Sequence, residues 1–137
     1  MTFQLDERLQ NDCFEIAQSE TSILLLMNNA AVPWFILVPK VEANELHDLP
    51  HSTFNAVTQE IRLLGQFIRK QQPVEKINVA AIGNVVNQLH IHIIGRWRND
   101  YCWPDVVWGR EAPAKYKSAD VVVIQSEVVE NLTDYFK

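Results

Sequence analysis

Gln88, His90 and His92 stand at alternate positions of the run QLHIHII (residues 88–94), in which every other side chain is apolar. A histidine with its ordinary pKa of about 6.5 is mostly neutral at pH 7, so its ring carries one nucleophilic nitrogen and one N–H donor. Two imidazoles spaced this way admit three uses. They can occupy the polar side of a half-exposed strand and do nothing more. They can ligate a metal, although zinc needs at least one further protein ligand, which only His47, His51 or scattered carboxylates could supply. They can also carry out phosphoryl or nucleotidyl transfer, one ring attacking phosphorus while its neighbours hold phosphate oxygens.

Each use depends on the stretch being a strand. Alternation then sends Leu89, Ile91 and Ile93 to one face and Gln88, His90 and His92 to the other, with side chains on one face about 7 Å apart. Short β-branched or apolar runs predict five strands: Cys13 to Ala17, Ser22 to Asn28, Trp34 to Val38, Ile77 to Ile82, and Leu89 to Ile94. Pro33 and Pro39 bracket the third, and Asn28–Ala31 reads as the hairpin connection before it. Phe54, Val57, Ile61, Leu64 and Ile68 fall at helical spacing and predict a long amphipathic helix from a Ser52 N-cap to about Gln71. A second stripe through Val121, Gln125, Val128, Leu132 and Phe136 predicts a C-terminal helix, with Ser118 as its cap. The expected fold is a single α+β domain over residues 1–137, an antiparallel sheet of about five strands with helix on one face.

The segment from Asn99 to Lys117 has no periodicity. Trp97, Trp103 and Trp108, in or beside it, can anchor an irregular chain, stack on a base or close a dimer interface. Its VVWGR run (106–110) suggests no mechanism by itself. The net charge of −5 comes with no basic stripe, so long nucleic acid is not an expected partner. Cys13 and Cys102 form no Cys-x-x-Cys pair and fit a reducing compartment. The charged N-terminus is unlike a signal peptide, and the longest apolar run, 30–38, is too short to span a bilayer. A cytoplasmic protein without membrane contact is expected.

The stretch QLHIHIIGR resembles the histidine-triad (HIT) motif, His-φ-His-φ-His-φ-φ. The resemblance extends upstream through LLLMNNAAVPWFILVPK, ELHDLP and the long helix, over about residues 14 to 96. It implies a HIT-like fold and a nucleotide hydrolase or nucleotidyl transferase, with a homodimer as the expected assembly. His90 falls at the middle histidine, the family's nucleophile, and His92 at the last, which contacts phosphate oxygens. Asn28 or Asn29 falls near a hairpin residue used on the ribose, and Asn84 and Asn87 in the preceding loop could donate to phosphate. The implied partner is a small nucleotide: a dinucleoside polyphosphate, a nucleoside phosphoramidate or a nucleotidyl sugar. No metal and no cofactor are expected. Two departures stand out. Gln88 replaces the first histidine and cannot carry a proton, although galactose-1-phosphate uridylyltransferases place a glutamine at the last triad position. The second hairpin strand reads Trp34-Phe35-Ile36 where many members have a histidine. These changes leave a nucleotide-binding protein with impaired catalysis as the alternative.

Overall fold

The computed structural model describes residues 2–137. Five strands, β1 (Cys13–Gln18), β2 (Ser22–Met27), β3 (Trp34–Pro39), β4 (Lys76–Ala80) and β5 (Ile91–Arg96), form one antiparallel sheet in the order β1-β2-β3-β5-β4. Three helices accompany it: α1 (Glu7–Asp12), α2 (His51–Arg69) and α3 (Ser118–Asn131), with a 3-10 turn at Leu46–Asp48. The α+β architecture expected from the pattern is the one observed. The short α1 lacks an amphipathic run; the Asp6 carboxylate caps it by accepting the Arg8 N–H at 2.8 Å.

Register explains how the sheet sorts its side chains. Leu37 pairs with Ile91 and Phe35 with Ile93, and this face packs under α2 through Val57, Leu64 and Ile68 and under α3 through Val128. Ile36 pairs with His92 and Trp34 with Ile94 on the opposite face. Among the described residues neither α2 nor α3 packs on that side, where the short α1 contributes only Leu9. Instead Leu9, Cys102 and Val107 are buried there, with Phe3, Leu5, Val86 and Trp108 packed against them.

Several predicted boundaries move. The long helix begins at His51, not after a Ser52 cap, because Pro50 takes the N-cap place and its carbonyl accepts the Phe54 N–H at 2.9 Å. It ends at Arg69, two residues early. Ser118 is the first residue of α3 rather than its cap; Asp120 reaches back to accept the Lys117 N–H at 3.2 Å. β5 starts at Ile91 instead of Leu89. Its ladders end at Leu37↔Ile91 and Ala80↔His92, so Leu89 and His90 run on past both neighbouring strands.

The irregular 97–117 segment is held by a buried ion pair. Arg96 bonds Asp100 through Nε at 2.8 Å and Nη2 at 3.1 Å, with side chains 2% and 0% exposed. The same guanidinium donates to Asn78 Oδ1 and the Asp105 carbonyl, and lies 5.7 Å from the Trp103 ring centroid. Five donors in a rigid fork can satisfy that many acceptors at once, which a lysine could not.

Candidate functional site

His90 and His92 lie side by side, ring centroids 5.0 Å apart, each only 5% exposed. Their hydrogen bonds assign opposite tautomers. His90 Nδ1 is 2.7 Å from the Gln88 carbonyl oxygen. A carbonyl only accepts, so Nδ1 carries the hydrogen and Nε2 keeps the lone pair. His92 Nδ1 is 3.0 Å from Trp34 Nε1, which only donates. There Nδ1 holds the lone pair, and Nε2 presents an N–H. One ring is thus set as a nucleophile and its neighbour as a donor.

The electrostatics reinforce the second assignment. Burial, and then the neighbouring His90 ring, push the His92 imidazole down to about 4. It is neutral at pH 7. Trp34 and Trp108 pack edge-on against it, with centroids at 5.7 and 5.2 Å. Trp34 is thus part of the site, in the strand where the sequence lacks a histidine. The alternation of β3 puts it on the histidine face, but only the register to β5 brings it to His92. Trp108, from the VVWGR run, is one of the three tryptophans the sequence offers as an anchor, a base-stacking ring or an interface residue, and the structure sets it against His92. Its Nε1 is buried without a hydrogen-bond partner among the described residues, leaving one donor unspent beside His92.

Gln88 is tied to the N-terminal chain. Its Oε1 accepts the Asp6 N–H at 2.8 Å, and its Nε2 donates to the Gln4 carbonyl at 2.9 Å. The Gln4 C=O and the Asp6 N–H flank Leu5 as they would on one edge of a strand, and the amide pairs with them as a neighbouring strand would. Arg8 adds a bond to the Val85 carbonyl at 2.9 Å. Beside this strap lies a cavity of about 800 Å³ lined by Phe3, Lys40, Asn44 and Gln88, among others.

The remaining expected residues fall in two places. Asn84 and Asn87 are exposed in the loop leading to the triad. Asn28 and Asn29 follow β2 in the hairpin turn, about three residues or roughly 10 Å along the strand from the level of His92. Both hold the 97–117 segment: Asn28 Oδ1 accepts the Tyr116 N–H at 2.9 Å, and Asn29 Nδ2 donates to the Tyr101 hydroxyl at 3.1 Å. His47 and His51 are exposed. Among the described residues no three His, Cys, Asp or Glu side chains gather within reach of one metal ion.

The comparisons bear on the family and the fold. The family model described as the HIT domain matches residues 8–99. A histidine triad (HIT) protein from Sinorhizobium meliloti 1021 is 35% identical, with a TM-score of 0.90 over 95% of this chain and 97% of its own. A histidine triad protein from Marinobacter aquaeolei VT8 is 34% identical, with a TM-score of 0.92 over 98% and 99%. A third, from Bradyrhizobium japonicum, is 32% identical, with a TM-score of 0.89 over 96% and 98%. No functionally curated protein matches the chain. A family match over most of the chain, joined to a fold shared nearly end to end, places it: this protein belongs to the histidine-triad (HIT) family.

Proposed function

We propose that the protein is a nucleotide hydrolase or nucleotidyl transferase that works through a covalent nucleotidyl-histidine. The observation that carries the proposal is the pair of opposed tautomers. His90 Nε2 has the free lone pair, and its Nδ1–H, held by the Gln88 carbonyl, steadies the positive charge the ring gains on attack. His92, fixed by Trp34, offers its Nε2–H to a phosphate oxygen at that moment. The exposed amides of Asn84 and Asn87 are further donors from the loop, and the second Nε2 hydrogen of Gln88 is another. On this reading Asn28 and Asn29 support the far end of the cleft, where the ribose would lie.

The steps balance without a cofactor. The His90 Nε2 lone pair forms a bond to the α-phosphorus, and the bond from phosphorus to the leaving group breaks with its electron pair. Water then attacks phosphorus, the P–N pair returns to Nε2, and one proton goes to solvent. Phe3, Leu5 and Val86 pack on the histidine face, so nucleotide entry displaces part of that roof. We further place the protein in the cytoplasm, where the free thiols of Cys13 and Cys102 would persist, and expect a homodimer.

Incubation with a dinucleoside polyphosphate, followed by acid quench and intact-mass analysis, tests the proposal. A nucleotide-mass adduct on the wild type that is absent from His90→Ala is expected. Tight AMP binding with neither adduct nor turnover would instead support a binding protein without catalysis, the reading that Gln88 favours because it is engaged by the strap.

A further inference from the structure

We infer that residues 2–9 are an autoinhibitory strap, held across the histidine face by the Gln88 side chain, and that nucleotide binds only when this latch opens. The strap's role rests on the reading of His90 and His92 as the groups that meet the nucleotide, and it governs access to them.

The path of the strap follows from what each end touches. α1 joins it to Cys13, which begins the edge strand β1 and pairs with Met27 at one end of the sheet. Leu5 borders a small cavity with Cys13 and Leu25. Phe3 and Gln4 reach the larger cavity of about 800 Å³, which they line with Lys40, Glu42, Asn44 and Gln88. Lys40 follows Pro39, which pairs with Ser22 at the opposite end of the sheet. The strap therefore runs diagonally over the face that carries Trp34, Ile36 and the histidines, with Phe3, Leu5 and Leu9 turned onto it. In this closed arrangement His90 and His92 are each 5% exposed. That is too little for a phosphoryl group to meet a ring nitrogen with its leaving group on the far side.

The chemistry of residue 88 fits a latch. A primary amide presents an acceptor and a donor side by side, and Gln88 takes the Asp6 N–H and the Gln4 carbonyl together at 2.8 and 2.9 Å. The two nitrogens of an imidazole diverge around the ring, so a histidine at this position would satisfy one of these backbone groups and leave the other. The main chain of the same residue has a separate task, because its carbonyl holds His90 Nδ1. Losing the side chain therefore frees the strap without removing that bond. The latch is also weak enough to open. The Gln88–Asp6 bond is partly buried, and the Gln88–Gln4 and Arg8–Val85 bonds are exposed to water. Exchanging one such bond for water changes the ratio of closed to open strap by roughly twofold to tenfold.

Diethyl pyrocarbonate acylates accessible imidazoles, and peptide mass analysis reads each histidine separately, so access can be measured without turnover. Wild type is compared with Gln88→Leu, which removes the latch, and with Leu5→Ser, which weakens the packing of the strap and leaves Gln88 in place. In both variants His90 should be labelled about tenfold faster, with the exposed His47 and His51 unchanged and a cooperative thermal transition retained. AMP should bind Leu5→Ser about tenfold more tightly by calorimetry, because a larger open fraction lowers the apparent Kd. If one variant loses its thermal transition, labelling of the other decides. Unchanged His90 labelling in a folded variant would overturn the strap and leave the nucleotidyl-histidine reading intact. Faster labelling with level or weaker AMP binding would overturn its inhibitory role. Faster labelling and tighter AMP binding, with no adduct from a dinucleoside polyphosphate on any of the three proteins, would keep the strap and overturn the nucleotidyl-histidine reading.

Discussion

Acidification should weaken this fold through His92. In the folded protein the ring sits at about 4 against an ordinary 6.5, chiefly because it is buried and secondly because it faces His90. Between these values the unfolded chain binds a proton that the folded chain refuses, so stability is complete above pH 6.5 and declines as pH falls toward 4. A separation of about 2.5 units at about 1.36 kcal/mol each corresponds to about 3 kcal/mol. That is a large share of the 5–15 kcal/mol typical of a domain, roughly speaking. The assay is urea unfolding from neutral pH to about pH 4, comparing wild type with His92→Asn, whose Oδ1 can still accept the Trp34 N–H but does not titrate. Wild type should lose about 3 kcal/mol more than the variant over this range, and an NMR titration should put the His92 midpoint near 4. Parallel stability curves, or a His92 midpoint near 6.5, would refute the reasoning.

Two further substitutions probe the frame around the site. At Gly95 in β5 an added Cβ would come within 2.7 Å of Pro33 and 2.8 Å of Ile68 and Val74, so Gly95→Ala should overpack the sheet–helix contact and cost about 1–3 kcal/mol, read as a lowered thermal midpoint. Arg96→Met leaves Asp100 buried without its cation and should cost about 3–5 kcal/mol by urea unfolding, and adding Asp100→Leu should not recover that loss, because the carboxylate also accepts the backbone N–H groups of Trp97, Cys102 and Trp103.

Residue periodicity made the frame legible. Alternation in 88–94 separated Leu89, Ile91 and Ile93 from Gln88, His90 and His92, and the structure buries the apolar set under α2 and α3. Helical spacing likewise marked Val57, Leu64 and Ile68 as the buried stripe of α2. The helix starts were harder to read: Ser52 and Ser118 have the right chemistry for caps, but Pro50 and Lys117 hold those places. The 97–117 segment was unreadable for a different reason. It is held by single long-range bonds, such as Tyr116 to Asn28 across 88 positions, and such bonds leave no repeating pattern.

The sequence by itself determined that two imidazoles point to one side of an extended run, because side-chain direction along extended chain depends on position parity. It also determined that Gln88 cannot carry a proton, since that is a property of the amide. Which nitrogen of each histidine is free was decided only by the tertiary structure. The Trp34 N–H reaches His92 from 58 positions away, whereas the Gln88 carbonyl turns onto His90 from just two away. The burial that keeps His92 neutral is likewise tertiary, assembled from β3, β5 and the VVWGR segment around one ring. A tautomer is set by its hydrogen-bond partner, and the partner is chosen by the fold.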